Sequence, residues 1–165
     1  MKLELKHLAP YLPYRLMGET SKNTIHEMTI VFLRMHLEPV SNIGRKITFK
    51  PILRPLSDLV VDIEHNNETL HPLYELNQMR GVTTEFTDYK FYIEGLDGFS
   101  GIETTSVYGC KFGDHDFHYE KETASFYNNS GVGLSPQLDM FQKLFEWHFD
   151  VFGLIEAGLA KAKTV

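Results

Sequence analysis

The densest run of side chains able to do chemistry is Asp114-His115-Asp116-Phe117-His118-Tyr119-Glu120. In a strand, alternation puts Asp114, Asp116, His118 and Glu120 on one face and His115, Phe117 and Tyr119 on the other. Carboxylate oxygens with one imidazole nitrogen suit a divalent cation, so these four residues are the candidate metal ligands. Residues two apart on a strand are separated by about 7 Å, so a compact site needs further ligands from a neighbouring strand. The spacing matches no signature such as His-Glu-x-x-His. The plainer reading is a solvated strand face beside a turn.

Three other positions carry possible chemistry. Cys110 is the only cysteine, and His115 or His118 lies close to it in sequence, as a nucleophile would require. No flanking signature accompanies it, and a single cysteine in a strand is more often a small buried hydrophobe. His148 sits in an apolar row and could act as a base oriented by Glu85 or Tyr92. The commoner state of such a histidine is a neutral core residue bonded to a backbone carbonyl or a tyrosine. Arg45, Lys46, Lys50 and Arg54 form a local basic group with Phe49 among them, a mixture that suits phosphate or single-stranded nucleic acid. Its alternative is ordinary charge flanking a strand. The Gly131-Val132-Gly133 segment lacks the lysine and the other glycines of a phosphate loop, and it reads as a loop into a helix. No cofactor is expected.

The elements that position these residues follow from apolar spacing. Leu138, Phe141, Phe145, His148, Phe152, Ile155, Leu159 and Ala162 alternate three and four apart, which predicts a long C-terminal helix from Ser135 to Ala162. A second row, Met140, Leu144, Trp147, Val151 and Leu154, lies beside the first. The two rows cover about 200° of the circumference, so the helix is expected to be wrapped by the chain. Ser135 suits the N-cap, Pro136 the first turn and Asp139 the positive end, while Lys161 and Lys163 suit the other end. Gly153 and Gly158 each weaken a helix by about 1 kcal/mol relative to Ala, which makes Gly153 the place for a kink or a break.

Upstream, Leu8, Tyr11, Leu12 and Tyr14 need burial, so Pro10 and Pro13 mark a packed N-terminal arm. Tyr14–Met17 and Thr24–Met35 read as strands around a turn, with continuously apolar Ile30-Val31-Phe32-Leu33 covered on both faces. Lys46–Lys50 is a short strand, Pro55–Val61 a short helix, and Leu70–Met79 a second short helix or turn. Asp88–Glu94, Thr104–Phe112, Asp116–Glu120 and Ala124–Tyr127 predict an antiparallel meander, with turns at Gly95–Gly98 and Phe112–His115. The expected architecture is a single α+β domain over 1–165, its antiparallel sheet packed around the long C-terminal helix.

Three stretches carry a resemblance. Leu144-Phe145-Glu146-Trp147-His148 through Leu159-Ala160, the opening Leu5–Tyr14, and Lys50–Leu59 are similar to a group of small uncharacterised proteins encoded by bacteriophages and prophages of gut bacteria. The three lie in order along the chain, while the region between Thr83 and Ser130 carries no such likeness. The resemblance implies an origin and carries over no catalytic or ligand residue.

Composition narrows the function. Hydrophobic residues make up 42% of the 165, enough for a folded core. The formal charge of -6 argues against a uniformly basic nucleic-acid surface. A lone cysteine fits a reducing compartment, and no apolar signal core or membrane span is visible, so a cytoplasmic protein of the bacterial host is expected. The leading function is a phage or prophage accessory protein that binds a host or phage protein, its mild acidity suiting a basic partner surface. The alternatives are a metal-dependent enzyme using Asp114–Glu120 and a nucleic-acid-binding module using Arg45–Arg54.

Overall fold

The computed structural model describes residues 1–37, 48–81, 89–96, 105–129 and 137–163. In chain order the elements are α1 (Leu5–Leu8), β1 (Met17–Thr20), β2 (Ile25–Glu27), α2 (Ile30–Leu37), β3 (Phe49–Leu53), β4 (Ile63–His65), β5 (Glu68–Leu70), α3 (Pro72–Gln78), β6 (Lys90–Leu96), β7 (Thr105–Phe112), β8 (His115–Glu120), β9 (Ser125–Asn128), α4 (Gln137–Glu146) and β10 (Lys161–Ala162). Tight 3-10 turns cover Ala9–Tyr14 and Leu56–Val60. The chain is α+β, and its contacts divide it into two compact units: Met1–Pro55 with Leu144–Thr164, and Leu56–Lys143.

The first unit is built on a four-stranded sheet of order β10-β3-β1-β2. Its β1 pairs antiparallel with β2 and β3, while β10 runs parallel to β3, so this sheet is mixed. The N-terminal arm packs as its apolar residues require: Leu8 and Tyr11 are fully buried with Leu16, Leu33, Leu53 and Leu154. The Tyr11 hydroxyl donates to the Phe149 carbonyl at 2.7 Å, which gives a buried phenol its partner. The strand expected at Ile30–Leu33 is a helix. Thr29 starts it, its hydroxyl accepting the Phe32 N–H at 3.2 Å and its carbonyl the Leu33 N–H at 2.9 Å. The helical step then buries Leu33 and leaves Ile30 and Val31 exposed.

The long C-terminal helix is not present. α4 ends at Glu146, and the chain turns at His148, whose φ is +63°. The Phe149 N–H bonds back to Leu144 O at 2.8 Å and the His148 N–H to Phe145 O at 3.0 Å, the paired bonds of a left-handed helix C-cap. Phe149 then forms a parallel bridge with Arg54. Downstream, the Asp150 carboxylate accepts the N–H groups of Leu154 (2.9 Å) and Ile155 (2.7 Å), starting a new helical turn. A second left-handed cap at Gly158 closes it, with Leu159 N–H on Leu154 O at 2.8 Å. The apolar spacing stays in step across both interruptions, which is why it reads as one helix. Burial sorts the rows differently from expectation: Met140, Leu144, Trp147 and Leu154 are buried, whereas Leu138 is 70% and Phe152 37% exposed.

The second unit holds the predicted meander, β6-β7-β8-β9, antiparallel throughout. Gly113, at φ +54°, and Asp114 make the two-residue turn between β7 and β8. The face carrying Phe117, Tyr119 and Phe126 is buried. Phe141, from the part of α4 that belongs to this unit, sits edge-on to Tyr119 and Phe126 at 6.1 and 5.7 Å. The Gln137 side chain bridges both backbone groups of Phe126. Thus the sheet does pack against α4, through its first turns alone. Pro72 opens α3 as its ring favours, and a two-stranded ribbon, β4-β5, precedes it.

Candidate functional site

Strand β8 alternates as its sequence requires: Phe117 and Tyr119 are buried while Asp116, His118 and Glu120 are half-exposed. The four candidate metal ligands do not converge. Asp116 accepts a 2.6 Å hydrogen bond from the Tyr92 hydroxyl and lies 3.9 Å from Lys111 Nζ. Its other neighbour is His118, whose Nδ1 is 3.5 Å away. Glu120 accepts from the Thr123 hydroxyl at 2.7 Å, and Asp114 stands in the turn. Among the described residues no group of three His, Cys, Asp or Glu side chains is placed to hold a metal ion. Strand pitch keeps same-face residues apart, and the adjacent strands supply tyrosine and lysine in place of further carboxylates.

The Tyr92–Asp116 contact depends on Gly109. Tyr92, Gly109, His118 and Tyr127 form one row across the four strands. A Cβ at Gly109 would fall inside the Tyr92 ring, so the missing side chain lets that ring lie across β7 and reach Asp116. Lys111 Nζ caps the same ring at 4.7 Å from its centroid. Burial, with Asp116 beside it, holds the Tyr92 phenol protonated far above the usual tyrosine range.

A cleft of about 390 Å³ opens at the β7–β8 turn. Its polar lining includes Asn77, Arg80, Asp114, His115, Asp116 and Asn129, and its apolar lining includes Phe112 and Phe117. Arg80 Nη1 donates to Asn77 Oδ1 at 2.9 Å, and the guanidinium lies 5.6 Å from the Phe117 ring centroid. Asn77 Nδ2 donates to the Tyr89 hydroxyl at 2.8 Å. The Asn129 side chain clamps the start of β8, accepting from the Asp116 N–H and donating to the Asp114 carbonyl. Among the described residues Arg80 has no carboxylate within ion-pair distance, and no side chain pairs with the Asp114 carboxylate.

Cys110 also lines the cleft, but only 1% of it is exposed. Burial, reinforced by Asp116 and opposed by Arg80, pushes its thiol up to about 12, so it stays protonated and unreactive at neutral pH. It is the buried hydrophobe that its strand position favours. His71 is the histidine held neutral by burial: it stacks on Phe91 with centroids 3.5 Å apart, and desolvation lowers its pKa. His148 is instead a half-buried cap residue whose Nε2 donates to the Tyr14 carbonyl at 2.8 Å. Glu85, its expected orienting partner, lies outside the described residues, and the Tyr92 hydroxyl is directed to Asp116.

The basic group does not form one surface. Arg54 is 2% exposed, and its Nε donates to the Trp147 carbonyl at 3.2 Å. A guanidinium so enclosed meets no phosphate. Lys50 is exposed on β3, while Arg45 and Lys46, like Gly131–Gly133, lie outside the described residues. Sequence reasoning missed Asn77, Arg80 and Asn129. A signal existed for two of them: Leu73, Leu76 and Asn77 share one face of α3, and Arg80, in the turn just past its end, continues the three-four spacing.

No helix among the described residues is long and apolar enough to cross a membrane. No protein-family model, no curated protein and no solved structure matches the chain.

Proposed function

We propose that the protein acts by binding another macromolecule, and that the cleft beside the β7–β8 turn is its contact. The supporting observation is the chemistry of the cleft. It presents Arg80 and Asp114 without charged partners among the described residues, while Cys110 stays protonated at neutral pH. Unpaired charges over an apolar floor recognise a partner, whereas catalysis needs an activated nucleophile or a poised base. The resemblance of the chain's two ends and middle to phage and prophage proteins makes a protein of the bacterial host or the phage the partner, met in the host cytoplasm.

The test is capture from a gut-bacterial extract on the immobilised protein, with Asp114→Lys as the comparison. Asp114 is an exposed turn residue, so this variant keeps the fold. A bacterial protein retained by the native chain and released by Asp114→Lys supports the reading. Identical retention on both, or retention of nucleic acid alone, overturns it.

A further inference from the structure

The cleft is lined by a held cation, Arg80, and by the carboxylate of Asp114. Arg80 is held from two sides, by Asn77 Oδ1 and by the Phe117 ring. Asp116 is already engaged by Tyr92 and Lys111, whereas the Asp114 carboxylate has no side-chain partner among the described residues. Asn129 fixes the backbone on which Asp114 stands. Phe112, Phe117 and the buried Cys110 supply apolar surface to the same cleft. At about 30 Å³ per water-sized group, 390 Å³ holds about a dozen non-hydrogen atoms.

We infer that this cleft is a site for a dipolar ligand, with a carboxylate on the Arg80 guanidinium and an ammonium or guanidinium group on the Asp114 carboxylate. A guanidinium presents paired donors to a carboxylate, and a low-dielectric floor strengthens both contacts. An anion alone would leave Asp114 facing negative charge, and a cation alone would be repelled by Arg80. Two sources share the chemistry: a free zwitterion such as a short peptide, and a neighbouring acidic and basic side-chain pair on a protein. The inference rests on the binding reading above, yet the two fail separately. Extract capture can succeed with no dipolar ligand, and a free zwitterion can bind with no protein retained.

The experiment is calorimetric titration of the whole protein with four probes: glycyl-L-leucine, its N-acetyl form, its C-terminal amide, and N-acetyl-Asp-Lys amide. Binding of glycyl-L-leucine that weakens at least tenfold on blocking either end assigns a free zwitterion. Binding of the acetylated Asp-Lys amide alone assigns a side-chain pair on a partner. Arg80→Gln should then make the probe with and without its carboxylate bind alike. Asp114→Asn should do the same for the ammonium, and this exposed position keeps the test valid if Arg80→Gln unfolds. Failure of both dipolar probes at millimolar concentration, or equal binding of the blocked forms, overturns the inference.

Discussion

Two sets of charged side chains, one in each unit, serve opposite ends. In the first, Arg54 and Asp150 are buried and bond to backbone groups: Arg54 donates to Trp147 O, and Asp150 accepts from Leu154 and Ile155. In the second, Arg80, Asp114 and Asp116 stand at a cleft, where Arg80 and Asp116 contact side chains and Asp114 has no side-chain partner among the described residues. A charge that satisfies buried backbone is structural, because removing it strands donors in a dry interior. A charge at an open cleft is available to a ligand. Conspicuous charge in a sequence therefore does not identify a site; the backbone's own need for partners decides which charges remain free.

That contrast sets the order of effects. Asp150→Ala should be the most damaging change, lowering stability by about 2–6 kcal/mol, because two N–H groups lose their acceptor at roughly 1–3 kcal/mol each. A urea midpoint close to the native one would show that this segment does not depend on its carboxylate. Charge changes at the cleft should stay within about 0.5 kcal/mol for exposed Asp114.

Next comes Gly109→Ala, expected to destabilise by about 1–3 kcal/mol, since the added methyl displaces the Tyr92 ring. Tyr92→Ala in the same chain should relieve most of the added loss, a coupling read from a double-mutant cycle. Additive losses would mean that the Tyr92 ring does not lie over Gly109.

Two titrations sharpen the picture of the second unit's interior. The folded Cys110 thiol is raised from near 9 to about 12, so the unfolded chain loses that proton first. Stability is fully present below about pH 9 and declines as pH rises toward 12, by up to about 1.4 kcal/mol per pH unit. Cys110→Ala should flatten this alkaline limb. His71 has the opposite sign. Its folded pKa is depressed, so its contribution is present above the usual value near 6.5 and is lost as pH falls below it. His71→Gln should flatten the acid limb; parallel urea curves from pH 8 to pH 5 would show that the ring is solvated.

The smallest effect belongs to His148. At φ +63° glycine avoids a strain of about 1 kcal/mol, while any substitution loses the bond to Tyr14. His148→Gly should therefore lie about 1 kcal/mol above His148→Ala in stability, and near the native protein. Equal stability of the two variants would argue against the left-handed cap.

Local pattern determined much of this molecule. Alternation located the meander, its Gly-Asp turn and the polar face of β8, because a strand's period of two is imposed by the backbone itself. Pro55 marked the start of the short helical turn at Leu56–Val60, and Leu8 and Tyr11 of the N-terminal arm are buried as their apolar character required. What pattern could not decide was where a helical period stops. The spacing from Leu138 to Ala162 is nearly unbroken, yet His148 and Gly158 turn left-handed, since Arg54 pairs with Phe149 and Asp150 caps the next turn. Those partners are distant in sequence or act through backbone donors, and apolar spacing records neither. The same holds at the cleft. Asn77 with Arg80, Asp114 and Asn129 come from three places in the chain, and only the packing of α3 beside the meander gathers them. Which charges were left over for a ligand followed from which ones the fold had already paired.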